Sequence, residues 1–469
     1  MTRTLFGLFP VFMCAAVLVA AEVPPLPNPD VMPEEYWAAW NDDVQKAIDG
    51  RIEKYRKSDA MVLLTDVKPG SDVKIEQISH EFLFGGQIFN FNQLGSKELD
   101  DKYKAVFGTL LNSATIPFYW AAHEMDRGTI RYETCAEDNP KFWAESPDPT
   151  KERFWRRPAT DQIVEFCEQK GIFRHGHTLI YRGKHVPLWV RGESEDVAEM
   201  EKLFEARIRE IARHYRDRIN RWDLVNESAE TTQERHHSEY DPNNPPGGRF
   251  GVMPLDYTYK TFKIADQVFP KNVAFSTNDY CMDTPYFDQI AHLRSRGCRI
   301  DAIGVQGHLT YPPENSIEAA NGTHYRPEYY LWLMNEFHKN GLPLHISEVS
   351  VMPPTNDEKG YAMQAYVIRN IYRMWFSWPK AEGITYWDLV DGGAVGSVPQ
   401  TSGIFTRQME PKPAYFALER LINHEWKTNI VRTAEDKRFK HHFRGFKGRY
   451  RISWTDVNDN VQSTEIVVQ

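Results

Sequence analysis

The sequence predicts an α/β protein, a (β/α)8 (TIM) barrel with small N- and C-terminal β appendages. Three observations predict it. Between residues 80 and 424, short apolar stretches of strand length alternate with amphipathic helical stretches. That is the pattern of βαβ units and a parallel sheet. Eight strand candidates occur, the number that closes a barrel. The turn after the first, Phe84-Gly85-Gly86-Gln87, lacks the G-x-G-x-x-G spacing of a doubly wound dinucleotide-binding sheet.

In chain order, residues 1–21 read as a signal peptide. Arg3 precedes a mostly apolar stretch from Leu5 to Val19, and Val19-Ala20-Ala21 offers small residues before Glu22. The stretch is short for a spanning helix, and no later run of ~20 apolar residues follows. The mature chain is therefore expected to be secreted, periplasmic or held at the cell surface, with an uncleaved anchor as the alternative. Residues 22–79 hold an extended leader (Pro24 to Pro33), a polar helix (Glu34 to Lys57) and two strands. The strands, Met61–Leu64 and Val73–Ile78, are joined by the turn residues Lys68-Pro69-Gly70-Ser71.

The barrel strands are expected at Glu81–Gly86, Ala114–Tyr119, Arg174–Tyr181, Ile219–Asn226, Val273–Asp279, Ala302–Gly307, Leu344–Val349 and Ile384–Leu389. Helical periodicity falls between them, as at Thr160–Lys170, Ser194–Tyr215, Tyr257–Val268, Pro285–Arg296, Pro327–Asn340 and Gly360–Trp375. Residues 425–469 return to strand alternation and form a small β appendage, expected to pack with residues 58–79. The basic cluster His441 to Tyr450 reads as a solvated face.

Composition narrows the function. The 469 residues are 41% hydrophobic and 26% charged, which excludes a disordered chain. A formal charge of −9 lacks the basic surplus of a nucleic-acid binder. The 13 Trp, 22 Tyr and 26 Phe either fill the core or line a groove where sugar rings stack. Once Cys14 leaves with the signal, Cys135, Cys167, Cys281 and Cys298 remain. None forms a C-x-x-C pair, so no zinc site is expected. Their pairing stays open, a Cys281–Cys298 bridge included. No motif implies a cofactor.

In a parallel barrel, reactive side chains sit at the C-terminal ends of the strands. The fourth strand closes as Trp222-Asp223-Leu224-Val225-Asn226-Glu227, and the seventh runs Leu344-His345-Ile346-Ser347-Glu348. Two carboxylates across one mouth are what glycosidic cleavage needs. One protonates the leaving oxygen, and the other attacks the anomeric carbon or activates water. Asn226 beside Glu227 could bond a sugar 2-hydroxyl. The bland alternative makes each glutamate a polar strand end.

These residues resemble glycoside hydrolase family 10, the retaining endo-β-1,4-xylanases, over roughly residues 80–424. Trp222 to Glu227 is similar to the family's acid/base motif, and His345-Ile346-Ser347-Glu348 to its nucleophile motif. Gly176-His177-Thr178-Leu179, Pro187-Leu188-Trp189-Val190, Asn278-Asp279-Tyr280, Gly304 to Leu309, Thr385 to Asp391 and Pro411 to Tyr415 resemble other family segments, in the family's order. The resemblance implies a retaining β-glycosidase with Glu227 and Glu348 catalytic. His177, Asn226, Gln306, His308 and Trp387 would then contact a poly- or oligosaccharide substrate, with His308 and Gln306 orienting Glu348 or holding its charge.

The chain also departs from the family. The usual Glu-Asn-x-x-Lys-Trp segment after the second strand is Thr115 to Trp120 here, and only Trp120 survives. The Trp-His pair after the third strand is Tyr181-Arg182. Glu-Leu-Asp at the nucleophile is Glu348-Val349-Ser350, and a second tryptophan falls at Val395. The sugar-holding shell is thus remodelled around an intact pair. Arg182, with His185, could meet an anionic substituent on the sugar or only pair with a loop acid. A carbohydrate-binding protein with little catalysis, and a barrel hydrolase for another β-glycan, are the competing functions.

Overall fold

The apolar runs become eight parallel strands in the computed structural model, which describes residues 22–133, 158–182, 185–193, 197–229, 254, 256–310, 312–392 and 401–469. In chain order the barrel strands are β3 (Leu83–Gln87), β4 (Ser113–Pro117), β5 (Phe173–His177), β7 (Arg221–Asn226), β8 (Ala274–Asp279), β9 (Ala302–Gln306), β10 (Leu344–Val349) and β11 (Ala381–Tyr386). A short β6, Ile180–Tyr181, pairs with the end of β7. Every residue of β4, β7, β9 and β10 is buried. This is the condition of parallel strands covered by helices outside and packed side chains within.

The ring closes where β5 pairs with β7, His175 opposite Arg221 and Gly176 opposite Trp222. Glycine is needed at that seam, because a Cβ on Gly176 would lie 2.4 Å from the Trp222 ring. β11 spans Ala381–Tyr386, not the expected Ile384–Leu389. Its start is fixed by pairing Leu344 with Ala381, so Trp387, Asp388 and Leu389 lie past the strand end.

The expected helices Thr160–Lys170 and Tyr257–Val268 form with those bounds. The expected helix from Glu34 to Lys57 is two helices, Glu34–Ala39 and Asp42–Arg56. Asn41 divides them, its side chain accepting from the N–H groups of Asp43 and Val44 at 3.1 Å each as an N-cap. The second of these packs on helix Glu358–Ser377, where Arg373 reaches Asp49 at 2.6 Å and Gln45 at 3.0 Å. That cover explains why Glu358–Ser377 is buried on most of its faces.

The strands before the barrel do not pair with each other. β1 (Lys57–Leu64) pairs antiparallel with β13 (Phe439–Phe446). β2 (Asp72–His80) lies between β12 (Asn429–Thr433) and β14 (Gly448–Thr455), and β15 (Val461–Val468) forms the edge beyond β14. Val62, Val73, Ile75, Phe443, Tyr450 and Ile452 share a core separate from the barrel's. The two strands thus lie on opposite layers of a small sandwich, so the turn between them joins sheets and makes no hairpin.

Cys167, Cys281 and Cys298 are free thiols, and a Cys281–Cys298 bridge is absent. Cys135 and residues 1–21 lie outside the described residues. Among the described residues, no helix is long and apolar enough to cross a membrane.

Candidate active site

Parallel strands deliver their C-terminal ends to one mouth, so Glu227 after β7 and Glu348 within β10 arrive on the same side. Glu227 has φ 50°, a left-handed conformation uncommon outside glycine. It is held by its own N–H, which donates to the Asn278 carbonyl at 2.9 Å. Glu348 follows a register irregularity after Ile346 on both edges of β10. Such bulges re-aim side chains beside active sites.

Asn278 couples the two glutamates. Its amide nitrogen donates one hydrogen to Asn226 Oδ1 at 2.8 Å and the other to Glu348 Oε1 at 2.6 Å. Its Oδ1 accepts from Ser347 Oγ at 2.5 Å, so the side-chain oxygen and both amide hydrogens are used. Asn226 donates to Glu227 Oε1 at 3.3 Å, and Gln306 donates to the same oxygen at 3.0 Å. The Tyr181 hydroxyl donates to Glu227 Oε2. Burial, then the charge of Glu227, hold the Tyr181 phenol well above its ordinary pKa, so it stays a donor.

The second Glu348 oxygen takes His308 Nε2 at 3.0 Å. His177 Nε2 lies 3.9 Å from Oε1, an ion-pair distance. Behind it, His177 Nδ1 meets Asp223 Oδ2 at 2.9 Å. Asp223 also accepts from Ser276 at 2.7 Å, and His175 lies 3.1 Å from it. Burial works against a charge on Asp223, yet the charges and hydrogen bonds of His175 and His177 hold its carboxyl well below the usual range. Burial likewise opposes charge on His177 and His308. Their carboxylate neighbours outweigh it and raise both above the ordinary histidine value. Glu348 thus faces two imidazoles that favour an anion beside them.

Trp387 stands edge-on to both imidazoles, 5.3 Å from the His177 ring and 6.2 Å from His308. With Phe89, Tyr119, Ala122 and Tyr181 it forms an apolar cluster apart from the main core. The Tyr181 ring stacks on His185 at 4.0 Å. Arg182 Nε donates to the backbone oxygen of Glu227 at 2.6 Å, so it braces the loop after β7. Asp279 accepts from the N–H groups of Ala229 and Cys281, both at 2.9 Å. Burial nonetheless pushes its carboxyl up to about 7.

All nine residues singled out in the sequence meet at this mouth. Glu227, Glu348, Asn226, Gln306, His308 and Tyr181 share the network through Asn278. His177 and Trp387 flank Glu348, and Arg182 adjoins through the Glu227 backbone. Asn278, Asp223 and Tyr119 were not singled out. Asn278 and Asp223 lie inside the strand-end motifs Asn278-Asp279-Tyr280 and Trp222 to Glu227, so position offers a signal. Tyr119 lies where the family's charged segment is lost and offered none.

The profile of glycosyl hydrolase family 10 matches residues 99–421. "Endo-1,4-beta-xylanase B" of Thermotoga neapolitana is 26% identical over 291 residues, covering 60% of this chain and 78% of that protein. "Anti-sigma-I factor RsgI6" of Acetivibrio thermocellus is 24% identical over 417 residues, covering 86% of this chain and 46% of that one. In structure, xylanase 10B from Thermotoga petrophila in complex with xylobiose superposes with a TM-score of 0.54 at 19% identity, over 74% of this chain and 95% of its own.

Proposed function

The chain belongs to glycosyl hydrolase family 10 and is a glycoside hydrolase, and on that premise we propose an exported, endo-acting enzyme that cuts a β-linked polysaccharide with retention of configuration. The observation that carries this reading is the Asn278 amide, which ties Glu348 to the Asn226–Glu227 pair across one barrel mouth. Glu348 is the nucleophile. Asn278 donates to one of its oxygens and the imidazoles of His308 and His177 stand at 3.0 and 3.9 Å, both held above the ordinary histidine value, and cations beside a carboxylate favour the charged form that must attack. Glu227 is the acid/base. It protonates the departing glycosidic oxygen while Glu348 bonds to the anomeric carbon, then takes a proton from the water that releases the sugar.

The substrate is a decorated xylan or a related β-glycan, in preference to plain linear xylan. Where the family's Glu-Asn-x-x-Lys residues are lost, Tyr119 packs near His177 and His185 at 5.4 and 5.2 Å. An aromatic wall replaces a charged one there, and loops of this kind set specificity on a shared barrel. The test is release of reducing ends from a panel of plain, acidic and branched β-glycans, with the product anomer followed by NMR. Turnover on unsubstituted xylooligosaccharides at an ordinary xylanase's rate refutes the specificity. An inverted first product refutes retention.

A further inference from the structure

The hydrogen bonds on the far side of His308 lead to a buried acid that the double displacement does not use. His308 Nδ1 meets Ser350 Oγ at 3.0 Å, and Ser350 Oγ donates to Asp388 Oδ2 at 3.0 Å. The same oxygen accepts from Ser402 Oγ at 2.8 Å. Asp388 and Ser350 have no solvent exposure and Ser402 almost none. Asp388 Oδ1 has no partner among the described residues. A carboxylate in such a place is costly unless a cation answers it, and the nearest group that can carry one along these bonds is His308.

We propose that Asp388, acting through Ser350, is a positioning residue that fixes the tautomer of His308 and so keeps an N–H aimed at the Glu348 carboxylate. The inference rests on Glu348 being the nucleophile. Ser350 has one hydroxyl hydrogen, and an ionised Glu348 can only accept at Nε2, so two proton arrangements satisfy every bond from Asp388 to Glu348. In one, Asp388 is ionised, Ser350 donates to it, and Nδ1–H of an imidazolium donates to Ser350. In the other, Asp388 carries the proton and donates to Ser350, which donates to Nδ1 of a neutral ring. Both leave hydrogen on Nε2, facing Glu348. Without the chain, Nδ1 has neither an acid to answer an imidazolium nor a hydroxyl hydrogen for its lone pair, and the neutral ring that holds its hydrogen on Nδ1, with a lone pair toward the carboxylate, gains ground. Burial raises the Asp388 carboxyl and the neighbouring acids raise His308, consistent with a proton shared along the line.

The arrangement also accounts for a departure from the family. The acid of Glu-Leu-Asp is absent at Ser350. A carboxylate at that position would reach His308 directly, and here it stands one hydroxyl further back, on the segment after β11.

The test uses the full chain and aryl glycosides. Ser350→Ala and Asp388→Ala should each lower kcat ~10–100-fold, the worth of a hydrogen bond to a charged group, with KM changed far less. Ser350→Asp combined with Asp388→Ala restores a carboxylate directly behind His308, and should recover most of the lost kcat. The 15N signals of the His308 ring should report hydrogen on Nε2 in the parent and in the double variant, and a mixture in the two alanine variants. Full activity in both alanine variants overturns the inference. So does an unchanged tautomer, or a double variant no faster than Asp388→Ala. Glu348→Ala is the separate control: if it still turns over, the nucleophile assignment fails, and if it is dead while the alanine variants are normal, only this inference fails.

Discussion

Glu227 and Glu348 stand at one mouth in different company. Amides and a phenol surround Glu227, and an amide and two imidazoles surround Glu348. Their losses should differ accordingly. Glu227→Ala should spare the first step for aryl glycosides whose leaving groups need no proton. It should slow the second step ~10²–10⁴-fold, the usual worth of a general acid or base. Azide should then restore turnover by attacking the glycosyl-enzyme without base help. Glu348→Ala should abolish turnover for every leaving group. Rates measured over a graded series of leaving groups, with and without azide, check both; equal loss on all leaving groups for Glu227→Ala, unmoved by azide, removes it as acid/base. Tyr181→Phe deletes one donor to Glu227 and keeps the ring on His185. It should cost ~10-fold in kcat/KM, with Tm unchanged.

At the scale of elements, two joints hold the mouth open to test. The first is the seam between β5 and β7. Gly176→Ala puts a methyl against the Trp222 ring and should destabilise the fold by ~1–3 kcal/mol, read as a lower Tm. The second is Asp279, which ties the residues after β7 to those after β8. Its carboxyl is raised to about 7 when folded against an ordinary value of about 3.9. The folded chain therefore holds a proton in that window that the unfolded chain releases. The contribution is complete below ~3.9 and is lost as pH rises through about 7. Asp279→Asn should flatten the fall of stability over that range; a slope identical to the parent's sinks the account. Most of the barrel is legible in the chain, because parallel strands buried on both faces leave unbroken apolar runs such as Ala302–Gln306. The start of β11 is not, since Ala381, Glu382 and Gly383 carry no such pattern and are held by pairing with β10. The network at the mouth is legible in its glutamates and hidden in its connectors. Asn278 and Ser350 gain their roles only when strands distant in sequence bring their polar atoms together.

Across the whole molecule, the chain's two ends complete one another. β2 is flanked on both sides by C-terminal strands, and β1 has β13 as its pair. A chain cut after residue 424 would leave Val73 and Ile75 without their cover and three strand edges unpaired, two on β2 and one on β1. It should be recovered insoluble or with a much lower Tm. A chain trimmed at both ends, to residues 81–424, should fare no better, because it also loses the helix Asp42–Arg56 that covers Glu358–Ser377. Soluble yield and thermal melts of the three chains decide it.

That same interlock sets a schedule. About 375 residues separate β2 from β14, and at ~5–20 residues per second of synthesis the first waits about 20–75 s for the second to exist. For that interval β1 and β2 are open templates for any neighbouring strand. Their own outward residues guard them: Lys57 and Asp59 on one, Asp72, Lys74 and Glu76 on the other. Charges on an edge disfavour pairing with a foreign strand, so Asp59 and Asp72 do a first service while the ribosome is still at work, before Arg444 and Thr433 arrive to bond them.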